Sequence, residues 1–336
     1  MQQYDIYGIG NALVDSEFRV EDRELANLGV EKGTMTLIDA DRRAALLQGL
    51  GELPGKRASG GSAANSMIAA AQMGSRCFYS CKVAPDELGE FYLRDLRACA
   101  VASNDHHSAS NGHATGTCLV LITPDAERSM STYLGATADL SEAELVLEAL
   151  VKSKYFYIEG YLSASPTGRR AVAVARQAAR EAGVKIALTL SDVNMIRFCR
   201  DGLEELWGDG VDLLFSNEEE AKLMFGVEDV RQVVEPLQRR AGSFVITRGK
   251  DGALVWDGQQ VVEVAATPVK PLDTNGAGDM FAGAVLSCLT RGLNLATAAK
   301  LGTLAAGELI QHFGPRLPSE VTAKIHRDFL GRLVHP

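Results

Sequence analysis

Short apolar runs bounded by glycine and polar turns dominate the chain, and their spacing predicts alternating strands and helices. Residues 4–9, rich in aromatic and β-branched side chains and ending at glycine, read as a first strand. Residues 12–20 alternate loosely between apolar and polar, and residues 34–38 form another short strand candidate. Residues 60–74 (GGSAANSMIAAAQMG) change period: two glycines lead into small helix-compatible side chains, the pattern of a loop feeding a buried helix. A strand over 78–83 and an amphipathic helix over 87–100 follow. Residues 117–123 and 128–134 are strand-like and separated by Pro-Asp-Ala-Glu, a hairpin turn signal.

From about residue 140 the pattern becomes regular. Strands are expected at 155–158, 185–190, 212–215 and 244–247, with helices at 166–182 and 218–224 between them. A hairpin of 253–256 and 261–264 flanks DGQQ, and helices are expected at 279–290 and 295–309. Strands alternating with helices predict a mainly parallel sheet covered on both faces. The separated β-rich pieces around 12–40 and 113–136 predict a small second sheet inserted into the larger unit, leaving 1–11, 41–112 and 137–336 to the main α/β domain.

Composition narrows the classes. The 336 residues are 46% hydrophobic and 23% charged, enough for a large core, and disorder or a fibre is excluded. Thirty-three glycines without a repeat suggest tight loops and close backbone approach. A net charge of −9 argues against a nucleic-acid partner. Six cysteines in a chain this long are no disulfide scaffold, and Cys77 and Cys81 have no downstream partner pair for a metal. No signal peptide or membrane span is visible, so a soluble cytoplasmic protein is expected.

Among the glycine-rich strings, GIGNAL after the first strand lacks the third glycine of a dinucleotide fingerprint and leads into β-like alternation. No Walker A string occurs. TRGKDG reads as a strand end opening a hairpin, although Lys250 could face a phosphate, and Thr247, Gly249 and Gly252 are candidate nucleotide-binding residues. DTNGAGDMFAGA at 273–284 is the stronger signal. Asn275, Gly276, Ala277 and Gly278 precede an apolar helical run, and N–H groups at a helix start converge on anions. Asp279 is placed either to cap that helix or to orient a hydroxyl and accept its proton during phosphoryl transfer. Asp273 adds a second carboxylate beside the anion site, a costly arrangement unless a cation or a reaction uses it.

Other polar residues fall where α/β enzymes bind ligands. Gly60, Gly61 and Asn65 open the small-residue helix and suit a polyhydroxyl substrate, as do Asn11 and Asp15 after the first strand. Asn217 and Glu220 follow the DLLF strand. Capping explains them, but at that strand edge Glu220 could hold Mg2+ directly or through water. Asp192 and Asn194 sit at the same edge, and Arg128 lies in the small β patch, a surface arginine by default that could reach a phosphate when a lid closes.

This constellation resembles the ribokinase-like, or PfkB, family of carbohydrate and nucleoside kinases across nearly the whole chain. DTNGAGDMFAGA is similar to the family's C-terminal signature, Gly60-Gly61 with Asn65 to its N-terminal signature, and Asn217 to Glu220 to its Asn-x-x-Glu element. The resemblance implies a three-layer α/β/α sandwich with a mainly parallel central sheet and a small β-sheet lid. It further implies ATP and Mg2+ as cofactors, Asp279 as catalytic base, Asn275 to Gly278 as anion hole, and Asp15, Gly61 and Asn65, with Asn11 nearby, as substrate contacts. Glu220 and Asn217 would organise the phosphate side. A K+ site is common in the family, and Asp273 and the loop around Gly314 are its candidates. GNALVD at 10–15 and the segment 115–136 are most like adenosine-kinase-type members, in which Arg128 matches an arginine near the transferred phosphate. The partner implied is a nucleoside, with free sugars as the alternative, and Phe18, Tyr133 and Tyr161 are candidates for base stacking. The resemblance allows a monomer or a homodimer paired through sheet edges.

Overall fold

Short apolar strands, buried on both sides except toward the sheet edges, assemble into a nine-stranded sheet. Its order from one edge is Val261–Val264, Ala253–Trp256, Ala241–Thr247, Val211–Asn217, Lys185–Thr189, Tyr155–Ile158, Ile6–Ile9, Cys77–Ser80 and Val101–Ser103. Ala253–Trp256 pairs antiparallel with both Val261–Val264, as the DGQQ turn requires, and Ala241–Thr247, and the other neighbours run parallel. The computed structural model describes residues 3–51, 56–104, 111–125 and 127–334. Helices cover both faces. Ser62–Gln72, Ala277–Leu289 and Leu295–Leu309 bury one core cluster, and Pro166–Glu181 with Arg200–Trp207 bury the other. This is the three-layer α/β/α arrangement that the alternating pattern predicts. All six cysteines are free thiols, and no helix among the described residues is long and apolar enough to cross a membrane.

A five-stranded sheet stands against the main body in the order Met35–Leu37, Arg128–Tyr133, Gly116–Ile122, Leu13–Arg19 and Lys56–Gly60. Side chains alternate across it. Phe18, Leu119 and Leu121 pack beneath Leu46 and Leu50 of the Ala40–Leu50 helix, while Leu13, Asp15, Cys118 and Val120 face the cleft. The boundary expected at residue 40 is therefore too early. Ala40–Leu50 and Lys56–Gly60 belong with the small sheet, because their apolar contacts and ladder bonds lie there. Lys56–Gly60 escaped the pattern reading because KRASG is an edge strand with only two buried residues.

The helices Ser62–Gln72 and Ala277–Leu289 cross at unusually small separation. A Cβ at Gly283 would overlap the Ser66 carbonyl and lie 2.8 Å from the Ala69 Cβ. Glycine there, facing alanine, lets the two helix starts meet.

Candidate active site

A cavity of about 470 Å3 lies between the carboxyl ends of the parallel strands and the open face of the small sheet. Its floor comes from Asn11, Glu159, Thr189, Asn217 and Thr247, each at or just beyond the end of a different strand. This is the edge at which parallel α/β sheets bind ligands. The size suits a small organic molecule.

Asp279 sits in the first turn of Ala277–Leu289 but does not cap it. Gly276 holds the N-cap position with φ +76°, and the Asp279 carboxylate is held by the facing helix instead. Ser62 Oγ donates to Asp279 Oδ1 at 2.6 Å, and Asn65 Nδ2 donates to Oδ2 at 3.2 Å. Burial pushes its pKa up to about 6, opposed by those two bonds and by the charge of Arg316. It still opens onto the cavity. Ser62 was not anticipated, since only the crossing of two distant helices reveals its partner.

Asn275, Gly276, Ala277 and Gly278 all line the cavity beside Asp279. A Cβ at Gly276 would lie 2.6 Å from the Pro315 carbonyl, so positive φ and close approach both call for glycine here. The Ala277 N–H donates to Thr274 O at 3.2 Å, a long turn bond that an incoming anion would have to displace.

Asp273 has other employment than the expected cation site. Its Oδ1 accepts from Asn275 N at 3.0 Å and its Oδ2 from Gly314 N at 2.7 Å. Arg128 Nε lies 3.2 Å from Oδ2, close enough for an ion pair though not aligned for a hydrogen bond. Both oxygens accept hydrogen bonds, and the Arg128 guanidinium places a positive charge beside them. Arg128, expected to reach a phosphate, is buried between Asp273 and Glu17 and is not among the cavity-lining residues. It ties the small sheet to the loop before the Asn275–Gly278 turn.

Asn11, Asp15, Gly61 and Asn65 line an adjoining wall of the cavity. Gly60 does not. It serves Asp15, whose carboxylate occupies the space that a Cβ on residue 60 would fill. Burial raises the Asp15 pKa to about 7, with Arg316 acting to lower it. Behind this wall Glu159, fully buried, accepts from Asn11 N at 2.6 Å and Ala63 N at 3.0 Å. It pins the first-strand loop to the start of Ser62–Gln72, a role with no local sequence signal. Above lies an apolar surface of Leu13, Met35, Leu37, Val120, Met130 and Leu134. Of the stacking candidates only Tyr161 reaches the cavity. Phe18 belongs to the small-sheet core, and Tyr133 is stacked under Arg43.

Toward the other end, Asn217 and Glu220 form a reciprocal capping box: Glu220 N donates to Asn217 Oδ1 at 2.8 Å, and Asn217 N donates to Glu220 Oε2 at 2.9 Å. Both also line the cavity, as does Asp192, so the capping and ligand-facing readings coexist. Asn194 is not among the lining residues and donates its N–H to Asp192. Thr247 faces the cavity, but Gly249 and Gly252 do not. They shape the turn into the hairpin, where a Cβ on Gly252 would strike the Val264 carbonyl.

Buried carboxyls set an expected pH dependence of stability. Asp15, Glu159 and Glu220 are raised to about 7 and Asp279 to about 6, first by burial, while unfolded aspartate and glutamate titrate near 3.9 and 4.3. Between those values the folded chain binds more protons than the unfolded one, so this stability is present at low pH and lost as pH rises through about 7. His326, depressed to about 4 by burial, acts oppositely only below about 6.5. Calorimetry of the ligand-free protein should therefore give a higher melting temperature at pH 6.5 than at pH 8, and the reverse order would contradict these assignments.

The fold and this constellation have clear relatives. The pattern of the "pfkB family carbohydrate kinase" matches residues 54–322. Adenosine kinase of Saccharomyces cerevisiae is 29% identical, over 93% of this chain and 96% of its own. The crystal structure of adenosine kinase from Sinorhizobium meliloti superposes with TM-score 0.87 at 38% identity, covering 97% of this chain and 99% of that one. A "probable sugar kinase protein" from Rhizobium etli CFN 42 superposes with TM-score 0.87 at 32% identity, covering 98% and 99%. The chain belongs to the pfkB family of carbohydrate kinases. It is an ATP-dependent phosphotransferase of the nucleoside and carbohydrate class, with an alcohol as acceptor.

Proposed function

We propose that the protein transfers the γ-phosphoryl group of ATP to the 5′-hydroxyl of adenosine, giving AMP and ADP. The observation that carries the nucleoside over a free sugar is the apolar face of the small sheet. Met35 and Leu37 are 40% and 59% exposed above the cavity, a surface that a polyhydroxyl sugar would leave wet and a flat purine would cover. Relatives named adenosine kinase at 29% and 38% identity support the same reading.

In this reading the small sheet is a lid, and the nucleoside lies with its base under the apolar face and its ribose against Asp15, Asn11 and Asn65. Asp15 accepts from the vicinal ribose hydroxyls. Asp279 orients the 5′-hydroxyl and takes its proton as the oxygen attacks phosphorus, while Ser62 and Asn65 keep its two oxygens in place. The turn from Asn275 to Gly278 directs backbone N–H groups at the phosphoryl oxygens, where charge is redistributed in the transition state.

Mg2+ fits the far end of the cavity by donor chemistry. Glu220 is buried and raised to about 7, in part by neighbouring Asp192, and a cation would relieve both. No group of three such side chains among the described residues forms a self-sufficient metal cage, as expected for an ion carried largely by phosphates. Glu220 and Asp192 would hold it through water, and it would neutralise phosphate charge.

Initial rates with adenosine, inosine, guanosine, ribose, fructose and 2-keto-3-deoxygluconate test the proposal. Adenosine should exceed each sugar by at least about tenfold in kcat/KM, since burying a flat apolar base contributes more than about 1.4 kcal/mol. A sugar matching or exceeding adenosine would replace the nucleoside reading with a sugar-kinase one.

A further inference from the structure

Asn65 donates to Asp279 through its amide nitrogen, and something must keep that end of the amide pointed at the base. A side-chain amide has two nearly isosteric orientations, and the wrong one would set Oδ1 against a carboxylate. Arg316, in the loop after Leu295–Leu309, settles the choice. Its Nε donates to Asn65 Oδ1 at 2.9 Å. Arginine offers only donors, so oxygen must face it and nitrogen must face Asp279. The guanidinium is itself fixed at its other end: Nη1 lies 3.2 Å from Asp95 Oδ2 and Nη2 donates to Ser59 Oγ at 3.1 Å. Asp95 also accepts from Ser59 N at 2.9 Å and Ser59 Oγ at 2.6 Å.

We propose that Arg316 is a positioning residue for phosphoryl transfer: by donating to Asn65 Oδ1 it holds Asn65 Nδ2 on Asp279. The proposal rests on Asp279 as the base. Its reach extends further through neighbours in the chain. Pro315 packs against Gly276 in the anion-binding turn, and Ser59 precedes Gly60, whose open space houses Asp15. Arg316 thus fastens the base, the phosphate turn and the ribose wall to one helix through Asp95. It also supplies positive charge. Asp279 is faced by Asp15 from the small sheet, by Glu159 and Tyr161 beyond the Tyr155–Ile158 strand, and by Tyr157 within it. Against those acidic groups, Arg316 lowers the pKa of both Asp279 and Asp15.

The test uses full-length Arg316→Gln and Arg316→Lys, with Asp279→Asn alongside, and pH profiles of kcat/KM from 5 to 9. Arg316→Gln removes charge and fork. It should lower kcat about 10- to 100-fold and move the acid limb of the profile to higher pH by about half a unit or more. Arg316→Lys keeps the charge, but one compact ammonium cannot serve Asn65, Ser59 and Asp95 together. Its acid limb should stay near the parent's while kcat falls about tenfold. That split between limb and rate would not arise from general loosening of the loop. If Arg316→Gln does not fold, Arg316→Lys decides alone. Parental kcat in a folded Arg316 variant, or an unshifted acid limb in Arg316→Gln, overturns the positioning role. Retained activity in Asp279→Asn would instead overturn the base itself, so the two failures are distinct.

Discussion

Asp279→Asn is expected to lower kcat about a thousandfold or more while leaving a folded protein that still binds nucleoside. Loss of a general base in phosphoryl or proton transfer typically costs 10²- to 10⁴-fold, and a thousandfold loss corresponds to about 4 kcal/mol of barrier. The upper part of the range applies because the carboxylate is positioned by two side-chain donors, Ser62 at 2.6 Å and Asn65 at 3.2 Å. The substituted amide can keep both contacts: its oxygen accepts from Asn65, and its nitrogen donates to Ser62 Oγ, which is acceptor as well as donor. Removing a carboxyl whose pKa is raised to about 6 by burial also removes a charge that the fold disfavours above that pH. The melting temperature at pH 8 should therefore not fall. Steady-state kinetics with calorimetric nucleoside binding checks the prediction. Undiminished kcat would mean that another group takes the proton, and loss of nucleoside binding would mean that the site had collapsed.

What could be read from the chain and what could not divide along contact range. The stretch from Asp273 to Ala284 is legible because its chemistry is local: glycines at a helix start, a carboxylate in the first turn and an apolar helix behind. The same holds for Asn217 and Glu220, whose capping box spans three residues. Ser62, Glu159 and Arg316 leave no such trace. Each acts on residues 96 to 257 positions away, and their types are ordinary for a helix start, a strand end and a loop. The partners of Arg128 are invisible in the sequence for a related reason. A lone arginine in a β patch has no local partner, and its pairing with Asp273 exists only once the small sheet meets the anion loop. The small sheet was recognised from its alternating strands, yet its edge strand Lys56–Gly60 was missed, because ladder bonds rather than apolar side chains recruit it.

The second large effect expected falls on binding rather than chemistry. Asp15→Ala should lower kcat/KM for a ribonucleoside at least about a hundredfold, chiefly through KM. Hydrogen bonds to a charged acceptor contribute about 1.5–3 kcal/mol each, and two vicinal hydroxyls would lose theirs together. The ligand-free protein should not be destabilised at pH 8. Burial raises the Asp15 pKa to about 7, so its ionised form is disfavoured by folding, and the stability it contributes is lost as pH rises through that value. Gly60→Ala supplies an independent arm. The added Cβ would overlap the Asp15 carboxylate and push it from the wall without removing it, so KM should rise in the same direction. Activity on a 2′,3′-dideoxynucleoside makes the assignment specific, because Asp15→Ala should hardly change it. An equal loss on the dideoxy substrate would show that Asp15 shapes the cavity instead of receiving the ribose hydroxyls.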